Sequence, residues 1–561
     1  MDSVFVAPQT GVEKLLAKLW QQVLKVDKIG IHDNFFDLGG DSIMAIQIAA
    51  RLAESGFALS PNDIFQHPTL AELVGVVAPE EGATSEIVAG EVPLTPIQRA
   101  FFELEPSEPD QFTQTVLLNV DGQLDADALR EAVRSLVAYH DSLRLSYQQT
   151  ASGWVQRYQT SVDAAQFSIV PLLGSESPQQ QVKETLEQRQ KQLNIAEGDL
   201  VRAVLFELGG QQQLGMVVHH LVVDAVSWQT LVRDLETAYG QLLAGEDVLL
   251  PPKTSSFKGW AEGLQSVDIS AEEVAYWENA VISCGEATTP LNHRVSLNES
   301  REDIQFKVGD GQRFARYLDA EMTRLFFQDS DRYRPQEKLL AAISEAISGA
   351  ISGQGKQEKI LFNLESHGRE EAFVPGMRLV RTVGWFTALF PVVVCCEQES
   401  AETLRSVKQT LREIPQNGIG YGVLRYLQPE KASEMISNQS TAEVLFNYLG
   451  DLEQLLPSQS MFRMARPLQV SRSEQMKRTH LIDISAYLMD GQLQIDWDCA
   501  GVDESTVQTM ADETMRQLKQ LMDAPTDGPA AEDFPLANLN SQKLDKLSSL
   551  LGTLDGLEGA L

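Results

Sequence analysis

Cysteine is scarce in this sequence: there are four in 561 residues, none at Cys-x-x-Cys spacing. This argues against a disulfide framework and for a reduced, cytoplasmic setting. Positive charge is short as well, with 45 Lys and Arg against 79 Asp and Glu, a net charge of −34. Nucleic acid and anionic membrane surfaces carry the same sign, so neither is expected as a partner. No apolar run is long enough to cross a bilayer. The longest, WFTALFPVVVCC at 385–396, reads as a buried strand, with Cys395 and Cys396 as core. The N-terminus has no basic segment leading into an apolar one, so no signal peptide is expected. A GxSxG elbow and a P-loop are missing, and the glycines of GIGYG (418–422) have neither the spacing nor the setting of a dinucleotide site. These absences argue against a thioesterase, a nucleotide hydrolase and a dehydrogenase. The eight histidines show no metal-ligand spacing, so no metal is expected.

What is present suggests several domains, because one core stops growing near ~250–300 residues. VEKLLAKLWQQVL (12–24) has a helical apolar stripe, SIMAIQIAARLAES (42–55) is a second helix, and LSPNDIFQHPTLAELVGVV supplies a third. Residues 4–78 are therefore expected to form a small all-α bundle. PEEGATSEIVAGE (79–91) is polar and poor in large apolar groups, and reads as a linker. Strand-like and helix-like segments then alternate to about residue 525. Two halves, 92–264 and 265–525, are expected, with a leucine-spaced tail at 526–561.

Two stretches carry chemistry. DNFFDLGGDSIMAIQ (33–47) sets Gly39, Gly40 and Asp41 before an amphipathic helix, with Ser42 in its first turn. Asp41 or Ser42 can cap that helix, and its free N–H groups suit an anionic group. VVHHLVVDAVSW (217–228) places His219 and His220 in an apolar run, four residues before Asp224. Neighbouring strand side chains face opposite ways, so one ring can enter a cavity while the other is packed behind it.

The first stretch resembles the attachment motif of peptidyl carrier domains in nonribosomal peptide synthetases. That resemblance implies a 4′-phosphopantetheine arm on Ser42. HHLVVDAVSW resembles the HHxxxD motif of their condensation and epimerization domains. The implied fold is an α/β, two-lobed, chloramphenicol-acetyltransferase-like domain of the condensation superfamily, with a channel between its lobes. PIQRAFF (96–102), LESHGREE (364–371), TVGWFTALFPV (382–392), IPQNGIGYGVLRY (414–426) and VLFNYLG (444–450) resemble epimerization domains in particular. The implied activity is epimerization of an aminoacyl or peptidyl thioester from L to D. His220 and Glu365 would handle the protons, and Asn447 and Tyr448 would donate to an enolate or shuttle a proton. His219 and Asp224 would be structural, Asp224 through an ion pair with an arginine.

Two residues depart from the family pattern: Ala225 and Ser366 stand where glycine is usual. WFT (385–387) either lines the channel or packs beneath it, with packing favoured. The implied partners are an upstream adenylation domain, a phosphopantetheinyl transferase and a downstream condensation domain. The chain reads as a carrier–epimerization didomain excised from a longer synthetase, whose tail is either a docking helix or a cap. The alternatives are a condensation domain using the same histidines, or an inactive docking module.

Overall fold

The structure, a computed structural model, describes residues 5–79, 88–159, 165–285, 306–328, 333–352, 358–432, 436, 442–456 and 460–523. The N-terminal part is a bundle of α1 (Gly11–Leu24), α2 (Ser42–Glu54), α3 (Pro61–Gln66) and α4 (Leu70–Leu73). A short pair, β1 (Phe57–Ala58) and β2 (Ala78–Pro79), ties its end. Thr10 and Glu13 form a capping box on α1, and Asp41 Oδ1 accepts the Met44 N–H at 2.8 Å to start α2. Trp20 and Phe35 lie at the centre, both fully buried, with ring centroids 5.2 Å apart.

The two glycines before Asp41 have different jobs. Gly39 has φ +87°, a backbone conformation that strains any residue with a Cβ. A Cβ on Gly40 would lie 2.4 Å from the Phe35 ring. The turn that presents Ser42 therefore rests directly on the core of the bundle.

The remainder is α/β. A three-stranded sheet joins β3 (Glu91–Val92), β5 (Leu145–Thr150) and β6 (Gly153–Tyr158). The first large sheet holds β4 (Phe112–Val120), β7 (Ala165–Pro171), β8 (Val201–Glu207) and β9 (Gln212–His219). Helices α5 (Pro96–Glu103), α6 (Ala126–Tyr139), α7 (Pro178–Gln190) and α8 (Ala225–Leu243) accompany it. The second large sheet runs in the order β10 (Gln312–Tyr317), β17 (Gln492–Cys499), β16 (Ile482–Met489), β13 (Val444–Asp451), β11 (Glu358–Ser366), β12 (Ala388–Cys396). WFTALFPVVVCC accordingly becomes a strand only from Ala388 onward.

A single cut at 264/265 does not separate the two sheets. β14 (Phe462–Met464) and β15 (Gln469–Arg472) return from the second half to pair antiparallel with β4. Short polar strands such as QVSR give no apolar alternation by which this return could be read in the sequence. Residues 80–87 of the expected linker, and the tail from residue 524, lie outside the described residues. No described helix is long and apolar enough to cross a membrane, and no described cluster of side chains could hold a metal ion.

The glycine pair gives a measurable contrast. Gly40→Ala should destabilise the bundle by ~1–3 kcal/mol through overpacking against Phe35. Gly39→Ala should cost about 1–2 kcal/mol through backbone strain alone. Amide exchange of α1 and α2 peptides by mass spectrometry should accelerate in both variants. Unchanged protection in Gly40→Ala would refute the packing account.

Candidate active site

A cavity of about 890 Å³ is lined by His220, Glu365, Asn447, Trp385, Gln114 and Arg472, among others. His220 directly follows the end of β9, Glu365 is the last residue but one of β11, and Asn447 lies within β13. β9 stops at His219, the chain turns once through residues 220–222, and Asp224 caps α8 by accepting the Ser227 N–H at 2.7 Å. His219 is fully buried, with Nε2 2.8 Å from the Pro109 carbonyl and Nδ1 accepting from Leu221 N–H. Burial lowers its pKa to about 3, so it is neutral and structural in position.

His220 faces the cavity between two aromatic rings, Phe112 stacked at 4.6 Å and Trp385 at 4.8 Å. Its tautomer follows from a chain of donors. The Trp228 indole N–H, which can only donate, takes Gln114 Oε1 at 2.8 Å. The Gln114 amide nitrogen is thereby aimed at His220 Nε2, 3.0 Å away, which must accept. The ring proton then sits on Nδ1. Burial lowers the His220 pKa to about 4, so the resting ring is neutral.

Asp224 finds its arginine in the ESHGREE segment. Arg369 Nη2 donates to Asp224 Oδ1 and Oδ2 at 2.8 and 3.1 Å, and Nη1 holds the Leu379 and Thr382 carbonyls. The guanidinium also lies over the Phe386 ring at 4.0 Å. Asp224 Oδ2 further accepts the Phe386 N–H at 3.2 Å. Gly368, with φ +64°, passes so close to Phe386 that a Cβ would lie 1.8 Å from that residue's carbonyl oxygen. The HHxxxD turn, the ESHGREE turn and the WFT segment are thus fastened together.

Glu365 lies near the end of β11, beside Asn447 of β13, whose Nδ2 donates to Glu365 Oε2 at 2.6 Å. Protein encloses the carboxyl except on its cavity side. Desolvation raises its pKa to about 7, against the opposing pull of Arg472 and the Asn447 hydrogen bond. Tyr448 points the other way. Asn447 and Leu449 line the cavity and Tyr448 does not, so the structure does not bring it to Glu365 and His220. Its hydroxyl is buried, with a pKa raised by desolvation and by nearby Asp41 and Asp451. Strand alternation accounts for this: if Asn447 faces one way, Tyr448 must face the other.

WFT both lines and packs: Trp385, Phe386 and Thr387 all reach the cavity, while Trp385 and Phe386 are also buried. Ala225 opens α8 and is not among the residues with positive φ, so its methyl costs nothing there. Ser366 Oγ donates to the Asn417 carbonyl at 2.7 Å, away from Glu365. Ser42 is half-buried in the first turn of α2. Sequence reading missed Gln114 and Arg472. A glutamine inside the buried strand FTQTVLLNV was a usable sign, whereas Arg472 carried none.

Comparisons with known proteins agree with this architecture. A family model described as a condensation domain matches residues 88–542, and one described as a phosphopantetheine attachment site matches residues 14–77. A linear gramicidin synthase polypeptide of Brevibacillus parabrevis is 37% identical over 573 residues, covering 97% of this chain and 7% of that protein. A surfactin synthase polypeptide of Bacillus subtilis is 32% identical over 565 residues, covering 97% of this chain and 15% of that protein. The chain thus spans a small fraction of the length of these relatives. Among solved structures, the epimerization domain from the third module of tyrocidine synthetase B matches with a TM-score of 0.71 at 29% identity. That match covers 79% of this chain and 98% of the other. A condensation domain of a monacolin K polyketide synthase shares the fold, with a TM-score of 0.60 at 16% identity over 78% of this chain and 99% of that one.

The buried carboxyl makes stability depend on pH. With its folded pKa raised to about 7, Glu365 binds more protons in the native state than in the unfolded one. Its contribution is present at low pH and lost as pH rises through 7. Glu365→Gln escapes that loss. Its stability relative to the parent should rise by roughly 2 kcal/mol between pH 5.5 and pH 8, read by chemical denaturation at both values. A pH-independent difference would mean that the carboxyl is not desolvated.

Proposed function

Because the chain belongs to the condensation-domain family and carries a phosphopantetheine attachment domain, we propose that it epimerizes the α-carbon of an aminoacyl or peptidyl thioester. Ser42 would hold the phosphopantetheine. Its place in the first turn of α2, at the positive end of the helix dipole, suits a phosphodiester, and the half-buried side chain leaves an approach. When bound, that group supplies the thiol that would carry the aminoacyl or peptidyl group as a thioester, whose carbonyl acidifies the α-proton. The observation that carries the proposal is a second proton carrier: Glu365, with a pKa of about 7, shares the cavity with His220. Condensation has no need of one there.

In its ionised form Glu365 takes the α-proton and becomes the neutral acid, while the electron pair moves onto the thioester oxygen as an enolate. Arg472, which acts electrostatically on both Glu365 and His220, supplies positive charge for that oxygen. His220 is neutral at rest, and enolate charge beside it raises its proton affinity. It then carries a solvent proton to the opposite face, and Glu365 returns its own proton to water. Asn447 orients the Glu365 carboxylate. Asp224 and His219 hold the turn that presents His220. In a synthetase, an adenylation domain upstream would load the carrier, a phosphopantetheinyl transferase would modify Ser42, and a condensation domain downstream would take the D-configured product.

Ser42 loaded with an L-aminoacyl-phosphopantetheine group and held in D2O should yield D-amino acid carrying deuterium at the α-carbon. Glu365→Gln and His220→Ala should each lower exchange by at least ~10²-fold. L-product without deuterium, on several aminoacyl and dipeptidyl loads, would overturn the reading and favour condensation. The exchange rate of the parent should also rise with pH, with its midpoint near 7 as Glu365 ionises.

A further inference from the structure

The bundle's helix α2 docks on the large domain beside the WFT wall of the cavity. Ala49, Ala50 and Ala53 pack with Val380 in one buried cluster. Glu54, the last residue of α2, closes the contact. Its Oε1 accepts from Arg381 Nη1 at 3.0 Å and from Arg233 Nη1 at 2.9 Å, and its Oε2 accepts from Arg233 at 2.7 Å. Arg233 belongs to α8, whereas Arg381 belongs to the irregular segment 378–387 that runs from the ESHGREE turn to Trp385. One carboxylate therefore joins two guanidinium groups that would otherwise face each other with like charge.

Arg381 is 3% exposed and also donates through Nη2 to Asp234 of α8 at 2.7 and 2.9 Å. Four residues further on stands Trp385, against His220. The residues between are pinned to the first half of the large domain. The Val383 carbonyl accepts from Ser142 Oγ at 2.6 Å, and the Gly384 N–H donates to Ser227 Oγ at 3.1 Å. Gly384 has no room for a Cβ, which would lie 2.5 Å from the Phe257 ring. A shift at Arg381 is therefore passed along a short, tightly packed strap. At the other end of α2, Ile43 lies beside Gly450, and Lys25 of the bundle pairs with Asp451 at 2.9 Å. Gly450 is three residues beyond Asn447. At each end of α2, then, the bundle touches the large domain within a few residues of a cavity side chain.

We propose that Arg381 is a positioning residue through which the docked carrier sets Trp385 and His220: the Glu54 carboxylate clamps the strap 378–387 onto α8 and so completes the reaction site. This rests on reading the cavity as the site of α-proton exchange. The carrier then does more than deliver substrate. Its seating tunes the wall against which His220 stacks.

The test uses the whole chain and probes that need no attachment to Ser42, namely alanyl, leucyl and phenylalanyl N-acetylcysteamine thioesters of L configuration in D2O. Glu54→Gln, which alters a partly exposed carrier residue, should lower kcat for α-deuterium incorporation by about fivefold, with KM changed less than twofold. Amide exchange of residues 382–387 should accelerate in the same variant, because the Gly384 and Phe386 N–H groups lose their hold. Arg381→Lys, which keeps the charge on Asp234 but loses the two-sided grip, should behave likewise with no loss in α1 protection. Unchanged kcat on the soluble probes would overturn the proposal, since Glu54 would then serve docking alone. Unchanged protection of 382–387 would overturn it by itself, even if no probe exchanges. Absence of exchange in the parent on both soluble and Ser42-borne substrates would count against the epimerase reading, while the amide measurement still decides the strap.

Discussion

The buried ion pair between Asp224 and Arg369 is the joint on which the candidate site depends. Asp224 ends the turn that presents His220, and Arg369 ends the turn that follows Glu365, so one charge pair registers these two cavity side chains against each other. Desolvating two charges is costly unless each finds further partners. Here Asp224 is also met by the Ser227 and Phe386 N–H groups, and Arg369 by two carbonyls and the Phe386 ring. The pair is over-determined, which suits a part meant to fix positions.

Around that joint, burial acts on two titratable groups in opposite directions. Desolvation favours the neutral form of each, raising Glu365 to about 7 and lowering His220 to about 4. Near neutrality His220 is therefore uncharged and Glu365 only partly ionised. A carboxylate forms there readily but is not locked in that form, which is the condition a base needs if it must also give its proton back. Arg472 adds fixed positive charge that neither group can neutralise by titrating.

Much of this was legible in the sequence, and the reasons differ by element. The helices 11–24 and 42–54 follow from apolar stripes and caps. His220, Asp224 and Glu365 stand in motifs whose residue types have few other uses in apolar surroundings. What the sequence did not disclose depends on pairing across long separations. The arginine that meets Asp224 lies in a quoted motif, yet only folding brings the two together. Gln114 fixes the tautomer of His220 through Trp228, an arrangement no local pattern records. Tyr448 shares a motif with Asn447, but strand alternation turns it toward Asp41 and Asp451 and away from the cavity. The return of β14 and β15 to β4 joins segments more than 300 residues apart, with only seven residues in the two strands to signal it.

That return has a consequence for how the molecule comes into being. During synthesis from the N-terminus, β4 waits with one edge unpaired until residues 462–472 emerge, long after β7, β8 and β9 have been made. The first sheet cannot be finished by its own half, and Arg472 reaches the cavity only with the strand that finishes it. Completion of the first sheet and arrival of that cation are one event, so a chain made only as far as residue 461 has neither that sheet closed nor Arg472 in the pocket. The two halves are consequently interlocked: a boundary drawn between them parts the first sheet from residues 462–472, the staple that closes it.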